Sequence, residues 1–186
     1  VFLQQVNLSG TPDKIGLQQI AGLTSFSVSE NFQISDLTPL VHLYRLNTLQ
    51  FSGTTVSKLD PVTRMTKLKV LRCMKNPILD LTPITGLPYL TELDFSNTQV
   101  EDIDALQNMM QLEVLKFSGT QVKNLKYLQK LVNIRQLEFI NTRVSNVDVL
   151  DGMNKLESVK MFNTKVSAKR VEKLKTLHPG CEIIYY

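Results

Sequence analysis

Six similar segments of eleven residues occur in this chain, and each begins 22 residues after the one before it. The copies begin at Leu46, Leu68, Leu90, Leu112, Ile134 and Leu156. A fixed period of this length indicates a solenoid, in which each unit buries its apolar residues only against the neighbouring units. The repeat therefore predicts one continuous core and an extended surface built from equivalent positions.

Apolar residues fall at positions 1, 4, 6, 11, 14, 17 and 20 of each unit, counted from its first Leu or Ile. The first three alternate with polar residues, which predicts a short strand with one buried face. The later spacing of three predicts a 3₁₀ helix or an irregular return. Pro61 and Pro83 fit such a return, because proline fixes φ and lacks an N–H. Successive units should therefore align their strands in one parallel sheet.

The stretch LKVLRCMKNPILDLTPITGLPYL, which begins at Leu68, fits the consensus LxxLxLxxNxIxxIxxLxxLxx of the 22-residue leucine-rich repeats. On this motif the chain resembles bacterial leucine-rich-repeat proteins. The resemblance implies an α/β fold, a right-handed solenoid curved like a horseshoe with a concave parallel sheet. It also implies short 3₁₀ or irregular returns on the convex side and a C-terminal capping helix and strand.

Two positions depart from the family pattern. Position 9, usually asparagine, is Asn76 in one unit but threonine in the others, namely Thr54, Thr98, Thr120, Thr142 and Thr164. We expect the threonine hydroxyls to replace part of the usual amide network, since a hydroxyl both donates and accepts. Position 6, usually leucine, is Phe51, Phe95, Phe117 and Phe139. Because these positions align between units, a stack of aromatic rings should run through the core.

We expect a single leucine-rich-repeat domain over residues 1–186, with irregular ends. Residues 1–22 form an irregular N-terminal repeat with a strand from Leu3, and residues 23–166 form the repeats, of which the first has one extra residue. Residues 167–186 are expected to form a cap, consisting of an amphipathic helix in SAKRVEKLKTL and a last strand. In that strand His178 takes the first position and Cys181 and Ile183 take positions 4 and 6. The cap resembles the closing segment of bacterial relatives, which implies that Tyr186 is a true C-terminus.

Composition narrows the class of protein. With 42% apolar and 20% charged residues, the chain reads as an ordinary globular protein, and its apolar runs are far shorter than the ~20 residues of a membrane span. The net charge of +4 comes from basic residues interspersed with acidic ones, so we expect no nucleic-acid binding. Cys73 and Cys181 lie several units apart and should be reduced.

The location in the cell stays open. No signal peptide is visible, but the chain begins with Val1 rather than Met and so can be a processed form. A secreted or cell-surface location is favoured over a cytoplasmic one.

Catalytic and metal-binding motifs are absent from the sequence. The only histidines, His42 and His178, do not stand at metal-ligand spacing from other ligands, and no phosphate-binding loop or nucleophile elbow occurs. His42 should face solvent in a return. We therefore expect a protein that is not an enzyme and that uses no cofactor and no metal.

Charges alternate at position 5, on the concave face. The column reads Asn7, Ser27, Gln50, Arg72, Asp94, Lys116, Glu138, Lys160 and Glu182. One interpretation, which we favour, is a ladder of ion pairs between neighbouring strands, each contributing ~0.2–1 kcal/mol. The alternative is a charged strip that meets a polar partner.

Position 7 supplies the best candidates for partner contact. It is serine in most units but apolar at Met74, Ile140 and Phe162. Interfaces favour aromatic residues, Met and Arg. The complete candidate set, with two valines of position 3, is Arg72, Met74, Ile140, Phe162, Val70 and Val114. Alternatively, the position-7 side chains tilt into the end of the core and only fill space.

The functional prediction is a non-enzymatic, monomeric protein–protein interaction module that presents its concave surface to a protein partner. Two alternatives stay open. The chain can be a structural or adhesive spacer segment of a larger bacterial surface protein. It can also be an intracellular regulatory scaffold, because it resembles phosphatase-regulating proteins with the same 22-residue repeat.

Overall fold

The computed structural model describes residues 22–185, and these residues form a single parallel sheet with eight strands in chain order. The strands are β1 (Ser25–Ser29), β2 (Thr48–Ser52), β3 (Val70–Arg72), β4 (Glu92–Asp94), β5 (Val114–Lys116), β6 (Gln136–Glu138), β7 (Ser158–Lys160) and β8 (Glu182–Ile184). The predicted solenoid, with one strand and one return in each repeat, is confirmed. The strand expected from Leu3 lies outside the described residues.

Short 3₁₀ helices make the returns from one strand to the next. They cover Thr38–Leu40, Asp60–Arg64, Thr82–Ile84, Asp104–Leu106, Lys126–Leu128 and Asp148–Gly152. In five of the six returns, a side chain at position 13 accepts a hydrogen bond of 2.7–2.9 Å from the backbone N–H two residues later. These side chains are Asp36, Asp80, Asp102, Asn124 and Asn146. The Asp or Asn at position 13 is the local signal that starts the return.

Three phenylalanine rings stack in the core. The centroids of Phe95 and Phe117, and of Phe117 and Phe139, are 5.6 Å apart, with interplanar angles of 13° and 11°. The predicted aromatic stack is confirmed for these three repeats. Phe51 is equally buried, but Cys73 occupies position 6 between it and Phe95. Burial raises the pKa of the Cys73 thiol well above its ordinary value, so this cysteine acts as a small apolar core residue.

Position 8 is the turn residue that ends each strand. Its backbone is left-handed in every repeat, at Glu30, Gly53, Lys75, Asn97, Gly119, Asn141 and Asn163. Gly and Asn adopt this conformation at the lowest energy, which explains their frequency at this position. The position-8 N–H of several repeats donates to the position-7 carbonyl of the next repeat, as from Gly119 to Ile140 (2.8 Å).

Gly119→Ala is expected to lower the free energy of unfolding by ~1–2 kcal/mol, because alanine is strained at the φ of +69° found there. An added Cβ would also lie 2.4 Å from the Asn97 Oδ1 atom. Urea denaturation measures the change. The matched control is Gly86→Ala, where no heavy atom lies within 4 Å of the added Cβ. Equal effects of the two substitutions would contradict the importance of the left-handed turn.

The first described repeat holds its predicted extra residue in the turn after β1. Glu30 has the left-handed backbone of position 8. The Ile34 carbonyl accepts a hydrogen bond from the Thr55 N–H, and in a regular repeat the carbonyl of Ile78, at position 11, accepts the equivalent bond from the Gln99 N–H. Ile34 therefore stands at position 11. Three residues therefore span a turn in which other repeats have two.

The C-terminal cap contains the expected helix, here α1 (Ala168–Leu177), which buries Val171 and Leu174. The expected register of the last strand is wrong by two residues. Ile183 pairs with Val159 at position 4 and Ile184 pairs with Lys160 at position 5. The reason is the α-helix, which rises 1.5 Å per residue against about 2.0 Å in a 3₁₀ helix and so needs more residues for the same return.

His178 is not the first residue of the last strand. It ends α1 and is buried, with Nε2 2.9 Å from the Leu150 carbonyl oxygen. Arg170 fixes the same helix to the preceding return, since its guanidinium binds Asp148 (Nε to Oδ1, 2.7 Å) and Asp151. The cap is therefore attached by apolar, histidine and ion-pair contacts to the last complete repeat.

Candidate functional site

Hydroxyl groups at position 9 hold the end of each strand. Thr98, Thr120, Thr142 and Thr164 each donate a hydrogen bond of 2.7–2.8 Å to the position-6 carbonyl three residues earlier. This is the reduced network expected when threonine replaces asparagine. The position-6 carbonyl is therefore bound within its own repeat. The backbone at the end of the strand is thereby fixed in these four repeats.

Asn76 makes a larger set of hydrogen bonds and joins two repeats. Its Nδ2 donates to Phe51 O (2.6 Å) and to Cys73 O (3.0 Å). Its Oδ1 accepts from the N–H of Thr54 (3.0 Å) and from the hydroxyl of the same residue (2.6 Å). One buried amide thus binds backbone in its own repeat and in the repeat before it.

Charged residues at position 5 alternate across the sheet, but they do not form the expected ladder of ion pairs. The strand register places Arg72 opposite Asp94 and Lys116 opposite Glu138. Among the ion pairs of residues 22–185, none joins two members of this column. Arg72 instead binds Glu92 at position 3 of the next strand (Nε to Oε1, 2.7 Å). The last member of the column is Ile184, because of the changed register of β8.

The short carboxylate of Asp94 turns towards the backbone. It is buried and accepts a hydrogen bond from Ser96 N (3.0 Å). Burial raises the pKa of Asp94, while the Ser96 hydrogen bonds and the charge of Lys116 oppose that rise. Because the Asp94 carboxylate binds backbone, it forms no ion pair with the charged residues beside it in the position-5 column. Alternating charges in the sequence therefore predict more ion pairs than the described sheet contains.

The predicted contact residues fall into two groups. Arg72, Met74 and Val70 lie at the Leu68 repeat, where all three are partly buried. Ile140 and Phe162 occupy position 7 of adjacent repeats near the C-terminal end, and Phe162 is 38% exposed. At ~4.8 Å per strand, about 14 Å separates the two groups along the sheet. Val114, partly buried at position 3, lies between them.

Some position-7 residues are buried, as expected if position-7 side chains tilt into the end of the core and only fill space. Ser52 and Ser96 are buried there, whereas Ser29 and Phe162 are exposed. The direction of position 7 therefore varies along the sheet. Its exposure is greatest at the two ends of the described sheet, and Phe162 is the most exposed apolar residue at this position.

An open polar groove, which the sequence did not reveal, lies beside Ile140 and Phe162. Positions 8 to 10 of three successive repeats form it, and its volume is about 300 Å³. The lining residues of this edge groove are Thr120, Gln121, Asn141, Thr142, Arg143, Asn163, Thr164 and Lys165. The signal in the sequence is position 10, which changes from Gln99 and Gln121 to Arg143 and Lys165.

Within residues 22–185, no group of three or more His, Cys, Asp and Glu side chains has the arrangement of a metal site. The helices in that range are all too short or too polar to cross a bilayer. Cys73 and Cys181 are free thiols.

Comparison with known proteins supports the fold. The family model described as leucine rich repeats (2 copies) matches residues 66–108. An internalin (inlF) from Listeria monocytogenes has a TM-score of 0.75 and 22% identity, over 92% of this chain. Internalin C2 from the same species has a TM-score of 0.79 and 22% identity, also over 92% of this chain and over 74% of its own. A leucine-rich-repeat protein from Leptospira interrogans has a TM-score of 0.74 and 25% identity, over 82% of this chain and 40% of its own.

The chain spans 57% of the length of the first of these structures, the inlF internalin. No curated protein sequence matches the chain significantly. The similarity to solved structures therefore concerns the solenoid fold.

Proposed function

We propose that this chain, which has the leucine-rich-repeat fold, is a non-enzymatic module that binds another protein through its concave face. The observation that carries the proposal is the pair of exposed Phe162 and partly buried Ile140, which stand at the same position of adjacent repeats. Their backbone is held by the position-8 and position-9 hydrogen bonds. A preformed surface of this kind binds with little loss of conformational entropy.

Aromatic side chains supply much of the binding energy in many protein interfaces, and neighbouring contacts exclude water around them. Phe162 and Ile140 therefore form the proposed main anchor. Arg72 and Met74 form a second contact on the same face, with Val70 and Val114 as flanking apolar area. Arg72 keeps 40% of its side chain exposed although it binds Glu92, so it can also meet a partner.

The test is a pair of serine substitutions, Ile140→Ser with Phe162→Ser, because four other described repeats already carry serine at position 7. We expect binding to a partner identified by affinity purification to weaken about 30-fold or more, as for loss of a hot spot. Calorimetry or surface plasmon resonance measures the affinity. The control is Tyr44→Ser with Tyr89→Ser, which changes two exposed side chains before the strands.

Arg72→Ala, measured alongside, tests the second contact. A confirmed partner that binds the Ile140→Ser with Phe162→Ser variant and the Arg72→Ala variant as tightly as the unchanged protein would overturn the proposed surface. Circular dichroism and urea denaturation of each variant separate loss of contact from loss of fold.

A spacer role has one specific observation in its favour. The position-5 charges alternate between neighbouring strands, so the centre of the concave face has little net charge for attracting a partner. Adjoining domains in the complete gene, together with a partner that binds one of those domains, would favour this second function. The same gene sequence tests the secreted or cell-surface location, which stays a prediction.

A further inference from the structure

We propose that the edge groove binds an acidic segment of the protein partner, with an apolar residue of that segment seated on Ile140 and Phe162. The proposal rests on the proposed protein-binding function and names the chemistry of the partner.

Charge is the first argument for an acidic ligand. Arg143 and Lys165 are exposed in the wall of the groove, and none of its lining residues is acidic. In the described part of the chain, neither cation takes part in an ion pair, whereas Lys75 and Lys123 at the same edge bind Glu30 and Glu101. The groove is therefore a positively charged recess at an edge where other cations already have carboxylate partners.

Glu101 is an acidic side chain whose pKa is affected by Arg143, and it already forms an ion pair with Lys123. The pKa of Glu101 is lowered by the hydrogen bond and charge of Lys123, with a smaller effect of Arg143. Glu101 is not among the lining residues. A carboxylate from a partner can thus approach Arg143 and Lys165 without displacing an internal ion pair.

Amide groups in the groove add hydrogen-bond donors. Asn163 Nδ2 donates to Asn141 Oδ1 over 2.6 Å, which orients the NH₂ group of Asn141 as a donor. Gln121 lines the same groove and has an amide of its own. An ionised carboxylate accepts several such bonds, and charge-assisted bonds are stronger than neutral ones. The lining is therefore complementary to Asp and Glu side chains.

The neighbouring apolar residues define the rest of the segment. Ile140 and Phe162 directly precede Asn141 and Asn163 in the chain, so the apolar anchor and the groove adjoin. A nucleic acid fits less well, because its binding depends on neutralising several phosphates and the groove offers two cations. Glu138, on the concave face beside Lys116, would also repel a phosphate backbone.

The experiment pans a displayed library of random peptides against the protein and measures selected, fluorescently labelled peptides by anisotropy. We expect enrichment of Asp and Glu next to an apolar residue, and affinity that falls as salt rises. Arg143→Glu with Lys165→Glu should weaken these peptides about tenfold or more, because each exposed pair contributes up to about fivefold and reversal adds repulsion.

The matched control is Arg64→Glu with Lys130→Glu, which makes the same change in net charge at two exposed residues of the returns. Equal affinity for the two double variants, enriched peptides without acidic residues, or no enrichment at all would overturn the proposal. Tighter binding of single-stranded DNA through Arg143 and Lys165 would overturn the choice of a protein segment. Peptides that depend on Ile140 and Phe162 but not on the two cations would support the proposed function and reject the acidic segment.

Discussion

Phe117→Ala is expected to lower the free energy of unfolding by ~3–5 kcal/mol, the largest effect of any single substitution considered for this chain. Phe117 is fully buried and stacks on the rings of both Phe95 and Phe139. Removing the middle ring opens a cavity and ends both aromatic contacts. Because a solenoid is held together by contacts between adjacent repeats, the loss falls on two interfaces at once.

Two substitutions measured in the same urea series sharpen this prediction. Phe51→Ala removes an equally buried ring that faces Cys73 instead of phenylalanine. It should therefore lower the free energy of unfolding less than Phe117→Ala does, by ~0.5–1.5 kcal/mol for each aromatic pair that Phe51 lacks. Lys116→Ala removes a concave side chain that forms no ion pair in the described residues, and should change stability by ~1 kcal/mol or less. A larger effect at Lys116 than at Phe117 would reverse the assignment of positions 5 and 6 to the outside and the inside.

Asn76→Ala is expected to lower the free energy of unfolding by ~3 kcal/mol, although it removes only a small polar group. The substitution leaves the buried carbonyls of Phe51 and Cys73 and the N–H of Thr54 without the partners that Asn76 provides. An unsatisfied buried group costs ~1–3 kcal/mol, so the effects of several exceed that of one hydrogen bond.

Thr120→Ala is the matched control for Asn76. Thr120 occupies the same position, is equally buried and donates one hydrogen bond, to Phe117 O. Its loss should lower stability by ~1 kcal/mol. Asn76→Thr, which introduces the residue found in the other repeats, should fall between the two because a hydroxyl cannot replace both amide donors. Equal effects at Asn76 and Thr120 would contradict the role of Asn76 as a connection between repeats.

The strands and core of this protein follow directly from its sequence period. Leu71, Leu93 and Leu115 recur every 22 residues and align in the sheet, so periodicity predicts both their burial and their register. The predicted register of β8 is wrong because the 22-residue period holds only while the returns keep the same length. In the last return α1 replaces a 3₁₀ helix, and its smaller rise per residue means that more residues are needed before the strand begins. His178 therefore lies at the end of α1 rather than in the strand.

The surface was less predictable than the core. The alternation of Arg72, Asp94 and Lys116 is real, but which groups pair depends on side-chain length and on nearby backbone donors such as Ser96 N–H. The edge groove consists of residues from left-handed turns and the positions after them. Counting positions places Arg143 and Lys165 together, since both stand at position 10 of adjacent repeats. That they line an open groove could not be predicted, because their side-chain directions depend on the backbone conformation of position 8.

The Leu68 repeat interrupts the phenylalanine stack at Cys73 and, among the six regular repeats that begin at Leu46, contains the only asparagine at position 9. The aromatic stack is therefore interrupted at the point where Asn76 binds backbone on both sides. In an array of nearest-neighbour contacts, such a junction sets how many residues unfold in one cooperative step. We therefore expect Asn76→Ala to weaken this junction, so that β1 and β2 open ahead of the strands that carry Ile140, Phe162 and the edge groove.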